Sequence, residues 1–395
     1  MRAPNVAAPP GAFVPGVFGL LALLACDVVD VPRLIVAPEQ AVAALPARIP
    51  EPADNPSTPS KVELGRLLFW DPILSGERDV ACATCHHPAH AYADGRDLSV
   101  GVGGTGLGPA RRSGPLSRPV NRNSMTILDV AWNGVGVASP EISPAEAPMF
   151  WDSRDRSLET QALKPIESAE EMRGERFTKE EIFPELERRL SAIPEYASRF
   201  EAVFGRGAIT RVNIGRALAA YERTLVARGS SFDRYMAGDD GALSQAAKRG
   251  LVALVESGCT RCHSGPMFSD FKLHRLGLPP LPGHTSDVGD GTGRFRTPSL
   301  RNVTSTGPFM HDGRFQTLRQ LFEFYTGIDK SLDPDLADLA PAGLDDITAL
   351  FEALSDGDFD RTVPAVVPSG LPPGGHLDRS NVAVPNATTR SAGRR

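Results

Sequence analysis

Apolar residues recur at helical spacing in several parts of the chain, and short polar signals mark where helices should begin. Capping signals at Thr178, Ser244 and Thr317 predict three helix starts. An apolar stripe over 214–225 is more typical of a core helix than of a cofactor contact, and 347–354 predicts a closing amphipathic helix. Because alternating strand patterns are few, the predicted fold class is mainly α.

The chain of 395 residues contains 38 Gly and 35 Pro, which predicts long irregular loops around the helices. Its length suits two compact units with tails, and a polar break before Ser244 indicates the boundary between them. The predicted organisation is a signal peptide over 1–25, a flexible linker over 26–57, a first domain over 58–240, a second domain over 241–360 and a disordered tail over 361–395.

The N-terminus carries an apolar run over 13–25, which is too short for a confident membrane span and suits the hydrophobic region of a signal peptide. The stretch from Leu23 to Cys26 resembles a bacterial lipobox, whose cysteine is lipidated. Ordinary signal cleavage and a retained anchor are the alternatives. All three export the chain, so we expect a periplasmic protein, attached to a membrane through lipidated Cys26.

The balance of charge argues against one class of partner. The formal net charge is −6, and no long run of Lys or Arg would follow a phosphate backbone. We therefore expect no nucleic-acid partner.

Four of the five cysteines form two Cys-x-x-Cys-His segments, Cys82 to His86 and Cys259 to His263. Two thiols at this spacing form thioethers with the vinyl groups of a haem, while the adjacent histidine reaches the iron. A zinc site built from both cysteine pairs is the alternative, but a histidine directly after each pair in an exported chain favours haem. The predicted attachment residues are Cys82, Cys85, Cys259 and Cys262, with His86 and His263 as proximal iron ligands.

Further segments around these motifs resemble the bacterial dihaem cytochrome c peroxidases and their MauG-type relatives, over roughly residues 60 to 357. The segments are Leu-Gly-Arg-Leu-Leu-Phe at 64–69, Arg-Asn-Ser at 122–124, Phe-Trp-Asp at 150–152, Ser-Phe-Asp-Arg-Tyr at 231–235, Pro-Ser-Leu-Arg-Asn at 298–302 and His-Asp-Gly at 311–313. The resemblance implies two covalently bound haem c groups.

The resemblance also implies roles for four residues near the first haem. Trp151 matches a tryptophan that lies between the haems and relays electrons. Gln161, Pro165 and Glu171 match the distal pocket, with Glu171 as the acid–base group. Taken alone, Trp151 would be an ordinary core or interface residue and Glu171 a solvated surface residue.

A calcium ion between the domains is a further implication of the resemblance. Asn123 matches its side-chain ligand, and Thr306 and Pro308 match its two backbone-carbonyl ligands, a set of oxygens that suits a hard cation. The implied architecture is two cytochrome-c-like helical haem domains packed around an interdomain metal site, with long irregular loops.

Two positions indicate the MauG-type branch. Tyr325 stands where ordinary members carry a methionine ligand, and a phenolate favours ferric iron. If Tyr325 is instead a core residue, Met310 or Met267 would be the ligand. Pro115 stands where many members carry a histidine that blocks the first haem, so we expect that haem to be five-coordinate and open to peroxide.

The predicted function is therefore reaction with hydrogen peroxide at the N-terminal haem and electron exchange through the C-terminal haem. The electron donor is either a small redox protein, which would make the chain a detoxifying peroxidase, or a protein substrate, which would make it a MauG-like oxidase. We favour the MauG-like oxidation. The alternative from another class is a dihaem electron-transfer cytochrome without peroxidase activity.

Overall fold

The computed structural model describes residues 37–136, 142–281 and 287–377. These residues form mainly helices, with little sheet, as predicted. The α-helices are α1 Pro59–Trp70, α2 Cys82–Cys85, α3 Leu158–Gln161, α4 Lys164–Glu167, α5 Ile182–Ser191, α6 Pro194–Phe204, α7 Arg211–Glu222, α8 Ser231–Met236, α9 Gln245–Glu256, α10 Leu318–Thr326 and α11 Leu344–Ala353, and a π-helix covers Ala169–Arg173. The strands are β1 Pro148–Met149, β2 Asp155–Arg156, β3 Leu273–His274 and β4 Phe295–Arg296, paired antiparallel as β1 with β2 and β3 with β4.

The predicted helix starts are confirmed by their hydrogen bonds. Thr178 and Glu181 exchange reciprocal backbone-to-side-chain bonds of 2.9 and 3.3 Å immediately before α5. The Ser244 hydroxyl accepts from the Ala247 N–H at 3.1 Å at the start of α9. Thr317 forms the same reciprocal box with Gln320 at the start of α10. Capping depends only on residues three apart, so the local sequence was sufficient.

The N-terminal core is built on the crossing of α1 and α7. The apolar stripe predicted over 214–225 is buried there, and its members Ile214, Leu218, Tyr221 and Leu225 are each at most 1% exposed. The helices approach so closely that a Cβ on Gly65 would lie 1.9 Å from the carbonyl oxygen of Ala217. Only glycine permits this contact.

The C-terminal core is built on α9 and α11. Leu251 and Leu254 of α9 pack with Ile347 and Leu350 of α11 in one buried cluster. Phe232 of α8 belongs to the same cluster and meets the ring of Phe268 at 5.0 Å. α8, which lies before the predicted boundary at residue 240, thus packs with the second core.

The predicted flexible linker requires a correction for its described part. Residues 41–49 are docked on the body: the Leu45 N–H donates to Asp233 at 3.1 Å, and the Gly265 N–H donates to the Ala41 carbonyl at 2.8 Å. Asp233 is itself held in a buried bidentate ion pair with Arg301. These partners are far away in sequence, and composition alone could not indicate them.

The predicted disordered tail also requires a correction over residues 361–377. The Ser369 hydroxyl donates to Asp71 at 2.6 Å, and the Gly374 N–H donates to the Trp70 carbonyl at 2.7 Å. This segment packs across the end of α1 because it forms hydrogen bonds with polar groups there. The predicted signal peptide, Cys26 and residues 378–395 lie outside the described residues. Among the described residues, no helix is long and apolar enough to cross a membrane.

Candidate active site

The first Cys-x-x-Cys-His segment forms the single helical turn α2. The Thr84 hydroxyl accepts from the Ala81 N–H at 2.9 Å and donates to the Gly374 carbonyl at 2.9 Å, which fixes the turn to the C-terminal segment. The His86 N–H closes the turn on the Cys82 carbonyl at 3.0 Å. Both thiols and the imidazole therefore reach the same cavity.

The His86 ring is held in one orientation. Its Nδ1 lies 3.0 Å from the carbonyl oxygen of Tyr92, so Nδ1 carries the proton and Nε2 keeps a free lone pair. Burial lowers the pKa of His86, which keeps the ring neutral. A neutral imidazole with this backbone partner is a typical metal ligand.

The second segment repeats this arrangement in another core. A short 3₁₀ turn, Cys259–Arg261, carries the motif, and Nδ1 of His263 lies 2.9 Å from the carbonyl oxygen of Phe268. Tyr92 and Phe268 both adopt left-handed backbone geometry, with φ of 56° and 51°. Aromatic residues rarely adopt this conformation, so the same strained turn aims both imidazoles.

The structure brings the predicted distal residues to the first motif. Gln161, Pro165 and Glu171 line one small cavity of about 50 Å³ with Cys82 and His86. The donor set of two thiols and a neutral imidazole fits covalent haem attachment.

Glu171 lies on the π-helix, whose start is capped by the Ser168 hydroxyl accepting from the Glu171 N–H at 3.3 Å. Burial raises the pKa of Glu171, and the nearby cation of Arg154 opposes that rise. Glu171 also lines a polar cleft of about 430 Å³, so it lies where the distal cavity meets a more open space. A carboxyl group in this position can exchange protons with groups in the distal cavity and with groups in the polar cleft.

Arg154 is held at the edge of that cleft by two contacts. It forms an ion pair with Asp152 at 2.9 Å, and its guanidinium lies 3.7 Å from the ring centroid of Phe150. The electrostatic effect of Arg154 on the pKa of Glu171 was not predicted from the sequence, because these two residues lie on different elements.

Trp151 is 8% exposed and lines a larger cavity of about 620 Å³ together with His263. Its indole N–H donates to the Asn123 carbonyl at 3.0 Å, and its own carbonyl accepts from the Arg296 N–H at 2.6 Å. These bonds tie the turn of the β1–β2 hairpin, in which Trp151 lies, to Asn123 and to β4. Its role as an electron relay stays a prediction.

The three predicted calcium ligands line the same large cavity as Trp151. They are Asn123, Thr306 and Pro308. The Asn123 amide donates to the Arg96 carbonyl at 2.7 Å, which orients its amide nitrogen away and leaves its oxygen for another partner. The residues fit an oxygen-liganded cation in chemistry, and the ion itself stays a prediction.

Tyr325 of α10 and His263 line the large cavity together. Met310 also lines it, whereas Met267 does not and packs instead in a separate buried cluster with Trp132. The geometry thus removes Met267 from the candidate ligands and keeps Tyr325 and Met310.

A family model described as di-haem cytochrome c peroxidase matches residues 59–241. Cytochrome-c peroxidase IdrP1 of Denitromonas iodatirespirans is 34% identical over 350 residues, which cover 78% of this chain and 84% of that protein. The chain belongs to the dihaem cytochrome c peroxidase family. Within it, methylamine utilization protein MauG of Methylorubrum extorquens is 36% identical over 307 residues, which cover 73% of this chain and 76% of MauG.

Solved structures agree with this membership. A MauG-like protein associated with microbial copper homeostasis aligns with a TM-score of 0.65 and 25% identity, over 79% of this chain and 94% of that chain. The dihaem cytochrome c peroxidase family implies two c-type haems, which favours haem over the zinc alternative. Relatives of both names match at similar identity, so membership alone does not separate simple peroxidases from MauG-type oxidases.

Sequence reasoning missed one carboxyl group in the first cavity. Glu222 ends α7 and lines that cavity beside Cys82, although it is only 5% exposed. The signal available was a glutamate directly after the apolar stretch from Ala217 to Tyr221. Without the tertiary contact it reads as an ordinary helix-end residue.

Proposed function

We propose that this chain is an exported dihaem peroxidase that reacts with hydrogen peroxide at the N-terminal haem and exchanges electrons through the C-terminal haem. The supporting observation is the composition of the first cavity. Glu171 and Gln161 face it, and His86 is the only histidine among the described residues that line it. Pro115, which replaces a possible blocking histidine, lies exposed on a loop.

The haem held by His86, Cys82 and Cys85 would supply the electrons that reduce peroxide to water. Glu171 would take the proton from one peroxide oxygen and return it to the other, since it is a carboxyl group at the mouth of the cavity. Gln161 would orient the peroxide through its amide, and Pro165 would help to exclude other ligands. Each role is assigned by position on the cavity wall.

The second haem would be held by Cys259, Cys262, His263 and Tyr325, which line one cavity. Trp151 would pass electrons between the two sites, because it follows the first attachment motif along the chain and lines the second cavity. An anionic oxygen ligand favours ferric iron, which suits oxidation of a donor. For this reason we favour MauG-like oxidation of a protein or another donor over simple detoxification.

Three further assignments complete the proposal. Asn123, Thr306 and Pro308 would bind one calcium ion. The protein would be periplasmic and attached to a membrane through lipidated Cys26. A small redox protein or a protein substrate would donate the electrons.

The test of the open first site is the spin state of the purified ferric protein. Electron paramagnetic resonance should show one high-spin and one low-spin haem in equal amounts, since His86 is the only histidine among the described residues that line the first cavity. A haem assay should first establish two haems per chain. Two low-spin signals and no peroxide turnover would instead support the alternative, a dihaem electron-transfer cytochrome.

A further inference from the structure

Glu222 is a buried acid on the wall of the N-terminal cavity that the proposed chemistry does not use. It is 5% exposed and lies beside Cys82, while Glu171 lines another part of the same cavity. Its Oε2 is buried and has no hydrogen-bond partner among the residues that the structure describes. Unpaired buried carboxyl oxygens are unfavourable, and in native proteins they indicate a function or a missing partner.

The surrounding charges do not neutralise Glu222. The neighbouring Arg223 donates to Glu159 at 2.7 Å, and Glu159 also accepts from Asn55 at 2.8 Å. Lys61 of α1 donates to the side-chain oxygen of Asn55 at 2.8 Å. Arg223 is therefore engaged with Glu159 through one terminal nitrogen, its Nη1 has no hydrogen-bond partner among the described residues, and Glu222 has no ion pair of its own among them.

Its protonation follows from this environment. Burial raises the pKa of Glu222 to about 8; Arg223 lowers it through space, and the negative charge of Glu159 raises it further. An acid with this pKa is therefore accessible in both its neutral and its ionised form near neutral pH. A modest change in local charge is enough to change its protonation state.

We propose that Glu222 is a proton-holding residue for the N-terminal haem, taking up a proton when the iron is reduced and releasing it when the iron is oxidised. The proposal rests on the proposed function only in that His86 must carry a haem. The step is balanced: ferric iron, one electron, a carboxylate and one proton give ferrous iron and a carboxylic acid. The electron comes from the donor through the second haem, and the proton comes from solvent.

The physical reason is charge compensation inside a poorly solvated cavity. Oxidation adds one positive charge to the iron, and opposite charges attract more strongly there than in water. A carboxylate in the same wall stabilises the oxidised state, whereas the neutral acid stabilises the reduced state. Electron and proton uptake are therefore coupled, and the coupling must be reciprocal.

The decisive experiment is a spectroelectrochemical titration of the holoprotein between about pH 5 and pH 9, comparing Glu222→Gln with the unchanged protein. In the unchanged protein the potential of the N-terminal haem should fall as pH rises between the pKa of Glu222 in the ferric protein and its higher pKa in the ferrous protein, and it should level off on either side of that interval. Glu222→Gln should flatten this dependence. Glu201→Gln, which removes an exposed charge from α6, should leave it intact.

An unchanged pH dependence in Glu222→Gln would overturn the proposal. If that variant does not fold, infrared difference spectra of Glu171→Gln protein at two potentials give the same answer. Oxidation should remove a protonated-carboxyl band, and no change in that region would overturn the proposal. Failure of the proposed function looks different, since it would show as a six-coordinate first haem or as fewer than two haems per chain.

Discussion

The two Cys-x-x-Cys-His sites share their proximal side and differ in the wall that faces it. In each, a histidine Nδ1 is bonded to the carbonyl of an aromatic residue with positive φ, Tyr92 in the first and Phe268 in the second. The two turns lie in separate hydrophobic cores. The Cys-x-x-Cys-His turn therefore adopts the same local geometry in two different hydrophobic cores.

The facing walls have different chemistry. Gln161, Glu171 and Glu222 bring an amide and two carboxyl groups to the first cavity. The second cavity is larger, and many aliphatic and aromatic side chains line it, with the phenol of Tyr325 among them, beside polar groups that include Asp287, Asp335 and His274. Carboxyl groups can move protons, whereas a phenol in an apolar wall can hold a metal in one state. The comparison indicates that the facing wall, and not the attachment motif, decides what each haem does.

The largest effect is expected where a proton must move. Glu171→Gln should slow the reaction with hydrogen peroxide by about 10² or more, because an amide cannot accept and return a proton. Stopped-flow absorbance measures this rate directly. Glu175→Gln changes an exposed residue nearby and should keep the original rate. Equal rates in all three proteins would mean that Glu171 has no part in the reaction.

A smaller effect is expected at the second wall. Tyr325→Met should raise the potential of the C-terminal haem by on the order of 0.1 V, since a thioether favours ferrous iron where a phenolate favours ferric iron. The N-terminal potential should not change. A redox titration followed by absorbance measures both haems in one sample.

Met310→Leu separates the two candidate ligands of that wall. If Tyr325 is the ligand, this substitution should leave the low-spin spectrum and the potential as they are, while Tyr325→Phe should alter both. The opposite pattern would assign the ligand to Met310 and would remove the feature that indicates the MauG-type branch.

The smallest effect is expected from a charge at the edge of the first wall. Arg154 opposes the burial that raises the pKa of Glu171, so Arg154→Gln should raise that pKa further. In the proposed mechanism the reactive form of Glu171 is the carboxylate, and the acidic limb of the pH–rate profile should therefore move to higher pH. Arg154 is 47% exposed, so solvent screens its charge and the shift should be small and salt-dependent.

The matched control is Arg156→Gln on the same hairpin, which should leave the profile in place. A shift of the acidic limb to lower pH in Arg154→Gln would contradict the assignment. No shift at low salt would show that Arg154 acts on another group.

The sequence by itself determined the features that depend on near neighbours. The helix starts at Thr178, Ser244 and Thr317 were predicted because a cap joins residues three apart. The six attachment residues were predicted for the same reason, since one turn of chain brings two thiols and an imidazole together. The burial of the stripe over 214–225 followed from helical periodicity.

The tertiary structure decided everything that depends on distant partners. Glu171 reads as a surface acid until its π-helix is placed against α2, and Glu222 reads as a helix end until α7 meets the same cavity. The docking of residues 41–49 and 361–377 depends on Asp233, Asp71 and Trp70, which are far away along the chain. Burial and pKa are set by whatever surrounds a group in space, and a local pattern does not contain that information.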